Sequence, residues 1–174
     1  MKLNINDKAI KNKTTKYSNN IIDDVQKPYI YRNKKYSNYP FSIIKKSTNK
    51  KLGKKVLKGN KKDFKMYTLT LVERSTCTDE CEHYLTCYGN NMMYAIRFNP
   101  YNKNFLPRLE SDLKTIANEP KNKNGFLLRL HVLGDFYSKD YVLFWKRMLQ
   151  LYPNLHIYGY TRNHNNSKYL EKRN

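Results

Sequence analysis

The stretch from Gly125 to Tyr160 constrains the fold more than any other part of this chain, because it spells a strand, a helix and a second strand in succession. FLLRLHVLG, from Phe126 to Gly134, reads as a strand by its run of apolar residues. Asp135-Phe136-Tyr137 makes a turn, and Ser138 is placed to cap a helix whose first turn carries Asp140. That helix is expected to bury Tyr141, Trp145, Met148 and Tyr152 along one stripe, with Val142 and Leu149 beside it, and Pro153 ends it. LHIYGY, from Leu155 to Tyr160, is the second strand. A right-handed crossover makes the two strands parallel neighbours, so the chain is read as an α/β protein of parallel βα units.

Successive side chains on a strand face opposite sides of the sheet. Leu128, Leu130 and Val132 therefore oppose Arg129, His131 and Leu133, and Leu155 and Ile157 oppose His156, Tyr158 and Tyr160. One face is apolar and suits helices; the other either lines a cavity or meets solvent. In parallel α/β sheets ligands gather outside the carboxyl ends of the strands, which here means Asp135, Thr161-Arg162 and the loop after the preceding strand.

That preceding strand is MYTLTLV, Met66 to Val72, rich in β-branched and aromatic residues. A cysteine loop follows it, then a short helix or turn over Asn90 to Phe98 closed by Asn99-Pro100. Phe105, Leu109, Leu113 and Ile116 recur at helical spacing, with Pro107 in the first turn and Pro120 just past the end.

Upstream the character changes. The 174-residue chain carries 34 Lys and Arg against 14 Asp and Glu, a net charge of +20. Residues 1–65 hold 19 of those cations and 4 acids, so +15 sits in a low-complexity segment expected to be largely disordered. The domain proper is placed at 66–162 and a C-terminal tail at 163–174. A basic segment with Tyr29, Tyr31, Tyr36, Tyr39 and Phe41 interleaved is a candidate nucleic-acid-binding arm, with cations on phosphates and rings on bases. Abundant Lys, Asn, Tyr and Ile fit the coding bias of an AT-rich genome equally well. No apolar stretch has the length of a membrane span, and even Val142 to Leu151 is broken by Lys146 and Arg147, so no membrane partner is expected. The N-terminus lacks the apolar core of a signal peptide, and a cytoplasmic location is expected.

Cys77, Cys81 and Cys87 are spaced C-x3-C-x5-C. An odd number of clustered cysteines fits a disulfide framework poorly and a metal site well. Three thiolates could hold an iron–sulfur cluster with one iron open, or, with His83 as fourth ligand, a closed zinc site. Three thiols without metal are the remaining reading, which the polar Asp79, Glu80 and Glu82 around them disfavour.

KLGKKVLKGNKKDFKMYTLTLVERSTCTDECEHYLTCYGNNM, followed by LRLHVLGDFYSKDYVLFW and HIYGYTR, resembles the gene product 88 family of phages and of bacterial or mobile-element proteins, from about Lys51 to Arg162. Members of that family resemble radical S-adenosylmethionine barrels, which implies a partial TIM-barrel-like sheet, truncated here after Arg162. It also implies a [4Fe–4S] cluster on Cys77, Cys81 and Cys87 that binds S-adenosylmethionine, with zinc as the alternative cofactor. On that analogy His131, Asp135 and Tyr160 are the candidates to hold substrate or assist proton transfer, though Asp135 has a competing role in opening the turn before Ser138. Radical enzymes typically carry C-x3-C-x2-C, so Cys87 falls three residues late. The expected functions are a radical-type metalloenzyme, a zinc-stabilised nucleic-acid-binding module, or an inactive truncated family member.

Overall fold

The computed structural model describes residues 42–78, 81–84, 86–92 and 95–169. Tyr29, Tyr31, Tyr36, Tyr39 and Phe41, the acids Asp79 and Glu80, and residues 170–174 lie outside the described residues.

Four strands and three helices make up the described chain: β1 (Lys45–Lys46), β2 (Lys65–Thr68), α1 (Phe105–Ala117), β3 (Phe126–Leu130), α2 (Lys139–Leu151), β4 (Leu155–Gly159) and the single turn α3 (His164–Ser167). The sheet order is β1-β2-β3-β4. β2, β3 and β4 run parallel, with Thr68 opposite Arg129 and Arg129 opposite Tyr158; β1 pairs antiparallel with β2 at one edge. The expected parallel βα units are thus present, and what stands in place of the expected partial barrel is this open, mostly parallel sheet.

The βαβ unit forms for the reasons legible in its residues. Ser138 is extended and its hydroxyl accepts from the Tyr141 N–H, satisfying one orphan donor of α2. Tyr141, Val142, Phe144, Trp145 and Met148 are buried on α2, and Phe126, Leu128 and Leu130 are buried beneath them on β3. α1 buries Phe105, Leu109, Leu113 and Ile116 in the same core, and its Phe105 ring lies 6.3 Å from that of Tyr141. Tyr152 is only half-buried, because the helix ends at Leu151 and Tyr152 already has non-helical angles.

Three expectations need correction. The first strand ends at Thr68, not Val72; beyond it the chain stays extended but irregular, and the Leu71 N–H donates to the Leu133 carbonyl (3.0 Å). The short helix or turn expected over Asn90 to Phe98 is a 3-10 turn that starts two residues earlier, at Tyr88–Asn91, after which Phe98 pairs with Leu71. The folded part begins before Met66: Ile43 and Ile44 are buried, and their N–H groups donate to the Asp112 carboxylate of α1 at 2.6 and 3.2 Å. A carboxylate on the buried face of a helix is tolerable here because it receives those bonds and lies 3.0 Å from Arg108 Nε.

Candidate functional site

Beyond the carboxyl ends of β2, β3 and β4 lies a cavity of about 320 Å³. Its wall includes Cys77, Cys81, Cys87, His83, Arg129 and Asp135, so the structure brings the expected cysteine loop to the predicted edge of the sheet.

The loop's base is a buried ion pair. Arg97 Nε donates to Glu73 Oε2 at 2.7 Å, and its Nη2 donates to the Gly89 carbonyl at 2.9 Å. Both side chains are almost wholly buried, so each needs the other. A Cβ on Gly89 would come within 2.9 Å of Glu73 Oε1 and 3.3 Å of Cys87 Sγ, which explains a glycine at this packed corner. Gly134 is required twice over. Its φ is +85°, and a Cβ there would meet Thr76 Oγ1 at 2.6 Å and Leu71 Cβ at 2.7 Å. Glycine therefore lets the end of β3 close against the strand that launches the loop.

Two of the three sulfurs accept backbone hydrogen bonds. The Arg74 N–H donates to Cys77 Sγ and the Gly89 N–H to Cys87 Sγ, both at 3.4 Å. Burial pushes the Cys77 thiol up to about 12, the Asp135 carboxylate and the other two cysteines add to that, and the Arg74 N–H partly opposes it. Burial raises Cys87 as well. In this arrangement Cys77 is a neutral thiol at physiological pH. All three cysteines are free. Among the described residues, no three His, Cys, Asp or Glu side chains are grouped as a metal ion would require.

The structure brings His131, Asp135 and Tyr160 to the lining of this one cavity, each in a different environment. His131 was expected on the polar face with Arg129, but its φ of +57° breaks the strand alternation. Its imidazole is buried, with Nε2 3.1 Å from the Tyr141 hydroxyl and the ring edge-on to Phe136 at 4.7 Å. Burial pushes its pKa down to about 4, against the opposing pull of Asp135, so it is neutral and packed into the core although its residue runs along the cavity wall. Asp135 Oδ1 accepts from the Phe136 N–H (2.7 Å) and the Thr161 hydroxyl (2.6 Å), and Oδ2 from the N–H groups of Arg162 (2.8 Å) and Asn163 (3.3 Å). Those bonds staple the end of β3 to the segment after β4, the turn-forming role carried further than expected. Tyr160 stands at the cavity's rim with 81% of its surface exposed. His83 is exposed beside the cysteines; the His156 ring lies tilted 5.2 Å from that of Phe64, and His164 opens α3, both away from the cavity.

Residue-type reasoning overlooked two features. The Glu73–Arg97 pair lacks any local pattern, since its members are 24 positions apart. Arg129 was placed on the correct face by strand alternation but not recognised as part of the site.

Fold and site together define an open, mostly parallel α/β protein with a cysteine-bearing cavity at the carboxyl edge of its sheet. Residues 42–174 match the family described as gene product 88, and the chain belongs to that family. The match begins at the Ile43-Ile44 segment that the structure ties to α1, upstream of the resemblance read from the sequence. Neither a curated protein nor a solved structure matches the chain. Among the described residues no helix is long and apolar enough to cross a membrane.

Proposed function

We propose that this gene product 88 protein uses its cysteine loop to hold a thiolate-bound metal centre, an iron–sulfur cluster with one open position facing the cavity. The observation that carries this reading is that Cys77, Cys81 and Cys87 all line one cavity at the carboxyl ends of parallel strands. The donor set fits a thiophilic centre. Two sulfurs already accept N–H bonds, which stabilise negative charge on sulfur, and the cost of three neighbouring thiolates is what a cation offsets. A cluster on three thiolates supplies one-electron chemistry and an open coordination position. The loop residues would converge by side-chain rotation, with the loop anchored by Glu73–Arg97 and by Thr76 against Asp135.

Metal and sulfide analysis with an absorption spectrum, after anaerobic reconstitution with iron and sulfide, tests this. About four irons per chain are expected, lost when all three cysteines become Ala, and S-adenosylmethionine cleavage is then the next assay. One tightly held zinc overturns the cluster and makes His83 the fourth ligand of a closed site.

A second reading has its own observation. Between Ser42 and Lys65 the chain carries ten lysines and one acid, Asp63, within the described fold and along its antiparallel edge. Lysines on an edge strand also discourage sheet-to-sheet aggregation. A nucleic-acid contact predicts binding whose logarithm falls linearly with the logarithm of salt, and a slope unchanged when these lysines become Gln removes the reading.

A further inference from the structure

Arg129 is the side chain of the cavity that its own fold leaves without a use. It sits at the middle of the sheet, between Thr68 of β2 and Tyr158 of β4, on the face away from α1 and α2. Its Nε is buried and has no hydrogen-bond partner, and its guanidinium makes no ion pair among the described residues. The acids nearest in function are committed elsewhere: Glu73 to Arg97, and Asp135 to Thr161 and the backbone of Arg162 and Asn163. A neighbouring phenol reports where its charge points: burial raises the pKa of Tyr158, and Arg129 pulls it back down. The Tyr88 hydroxyl is spent on the Val132 carbonyl, and that of Tyr158 lies 3.7 Å from Met66 sulfur, so neither competes for an incoming acceptor.

A guanidinium held on a rigid strand, partly desolvated and unpaired, is a fork aimed at a forked oxyanion. We propose that the cavity binds a small ligand bearing a carboxylate or phosphate group, with that group on Arg129 and the ligand's body against Leu133, Tyr88 and the cysteine loop. The volume suits a small molecule rather than a polymer chain. Arg162 at the rim adds a second positive charge to the entrance. The proposal rests on the same cavity being a ligand site, as in the metal reading, but needs no metal to be bound.

The test follows the thermal midpoint of the full chain at fixed ionic strength, titrated with phenylacetate, phenyl phosphate and the neutral control benzyl alcohol. Metal content is measured on the same preparation, so loss of the metal reading and loss of this one are seen separately. A saturable rise with one or both anions and none with the alcohol is expected, and the responding anion identifies the head group. Arg129→Met should abolish the response while leaving the unliganded midpoint equal or higher, because an unpaired buried donor is removed. Arg129→Lys, which keeps the charge but not the fork, should weaken binding by about tenfold or more. No saturable rise with either anion, or a rise undiminished in both variants and so due to general screening of a +20 chain, overturns the proposal.

Discussion

Around Trp145 the chain is sealed. The indole is fully buried, with Phe144 5.5 Å and Tyr141 6.0 Å away between ring centres, and β3 lies beneath. Around Cys81 it is open: among the described residues the thiol takes no hydrogen bond, Thr78, Glu82 and His83 are half or wholly exposed, and the loop is held by Glu73–Arg97 and by Thr76 against Asp135. The sealed region derives its stability from area removed from water, the open one from a few polar links. A loop held by a few polar links, among them the bond from Arg74 Nε to the Tyr84 carbonyl (3.2 Å), can reshape around a ligand more readily than a jigsaw core can.

The most forceful way to break this contrast is Trp145→Ala. Removing the largest core side chain should cost about 3–5 kcal/mol, enough to unfold a marginal domain and take the loop with it. Denaturant unfolding followed by circular dichroism reads the loss; a cost below about 1 kcal/mol would mean that α2 is not the centre of the fold.

Arg97→Met attacks the other side. It leaves the buried Glu73 carboxylate with only the longer, 3.9 Å contact to Arg74 Nη1, an effect of about 3 kcal/mol. Its distribution is the sharper readout. Hydrogen exchange should show the amides of Cys77 and Gly89 losing protection while those of α2 keep theirs. Equal loss in both regions would make loop and core one cooperative unit and end the contrast.

His131 joins the two regions and gives the contrast a pH dependence. Its folded pKa is about 4 and its unfolded value about 6.5, so the unfolded chain takes up the proton first. Its contribution is therefore complete above pH 6.5 and is lost as pH falls from there towards about 4, by roughly 3 kcal/mol in all. His131→Asn, which tolerates the left-handed backbone, should flatten that part of the stability profile. An unchanged slope would assign the pH dependence to other groups.

How legible these regions were follows from the range of the interactions that build them. α2 could be read residue by residue, from Ser138 to Pro153, and so could the starts of β3 and β4, because periodicity and capping are local signals; β3 ends at Leu130, four residues before the expected Gly134. The cysteine loop could be placed but not furnished: its floor depends on Glu73 meeting Arg97, and Asp135 on meeting Thr161, contacts that no local pattern encodes. His131 was misplaced for a different reason. Alternation carried on to Leu133 runs three residues past Leu130, and at the first of them, His131, a left-handed φ ends the strand and turns the ring into the core. Ile43 and Ile44 were hidden by composition, two apolar residues in a lysine-rich stretch whose anchor, Asp112, lies 69 positions from Ile43.

The smallest expected effect is the most discriminating. Cys81→Ala removes a half-buried thiol that accepts no hydrogen bond from the described residues, so the metal-free protein should change in stability by no more than about 0.5 kcal/mol. Cys77 and Cys87 have N–H partners to lose; Cys81 has none among the described residues, which isolates a ligand's role from a packing role. Urea midpoints of the metal-free wild type and variant should coincide, while metal uptake by the variant falls. A drop of several kcal/mol without metal would make Cys81 part of a packed interior, and the loop would then be an extension of the core and not a site built upon it.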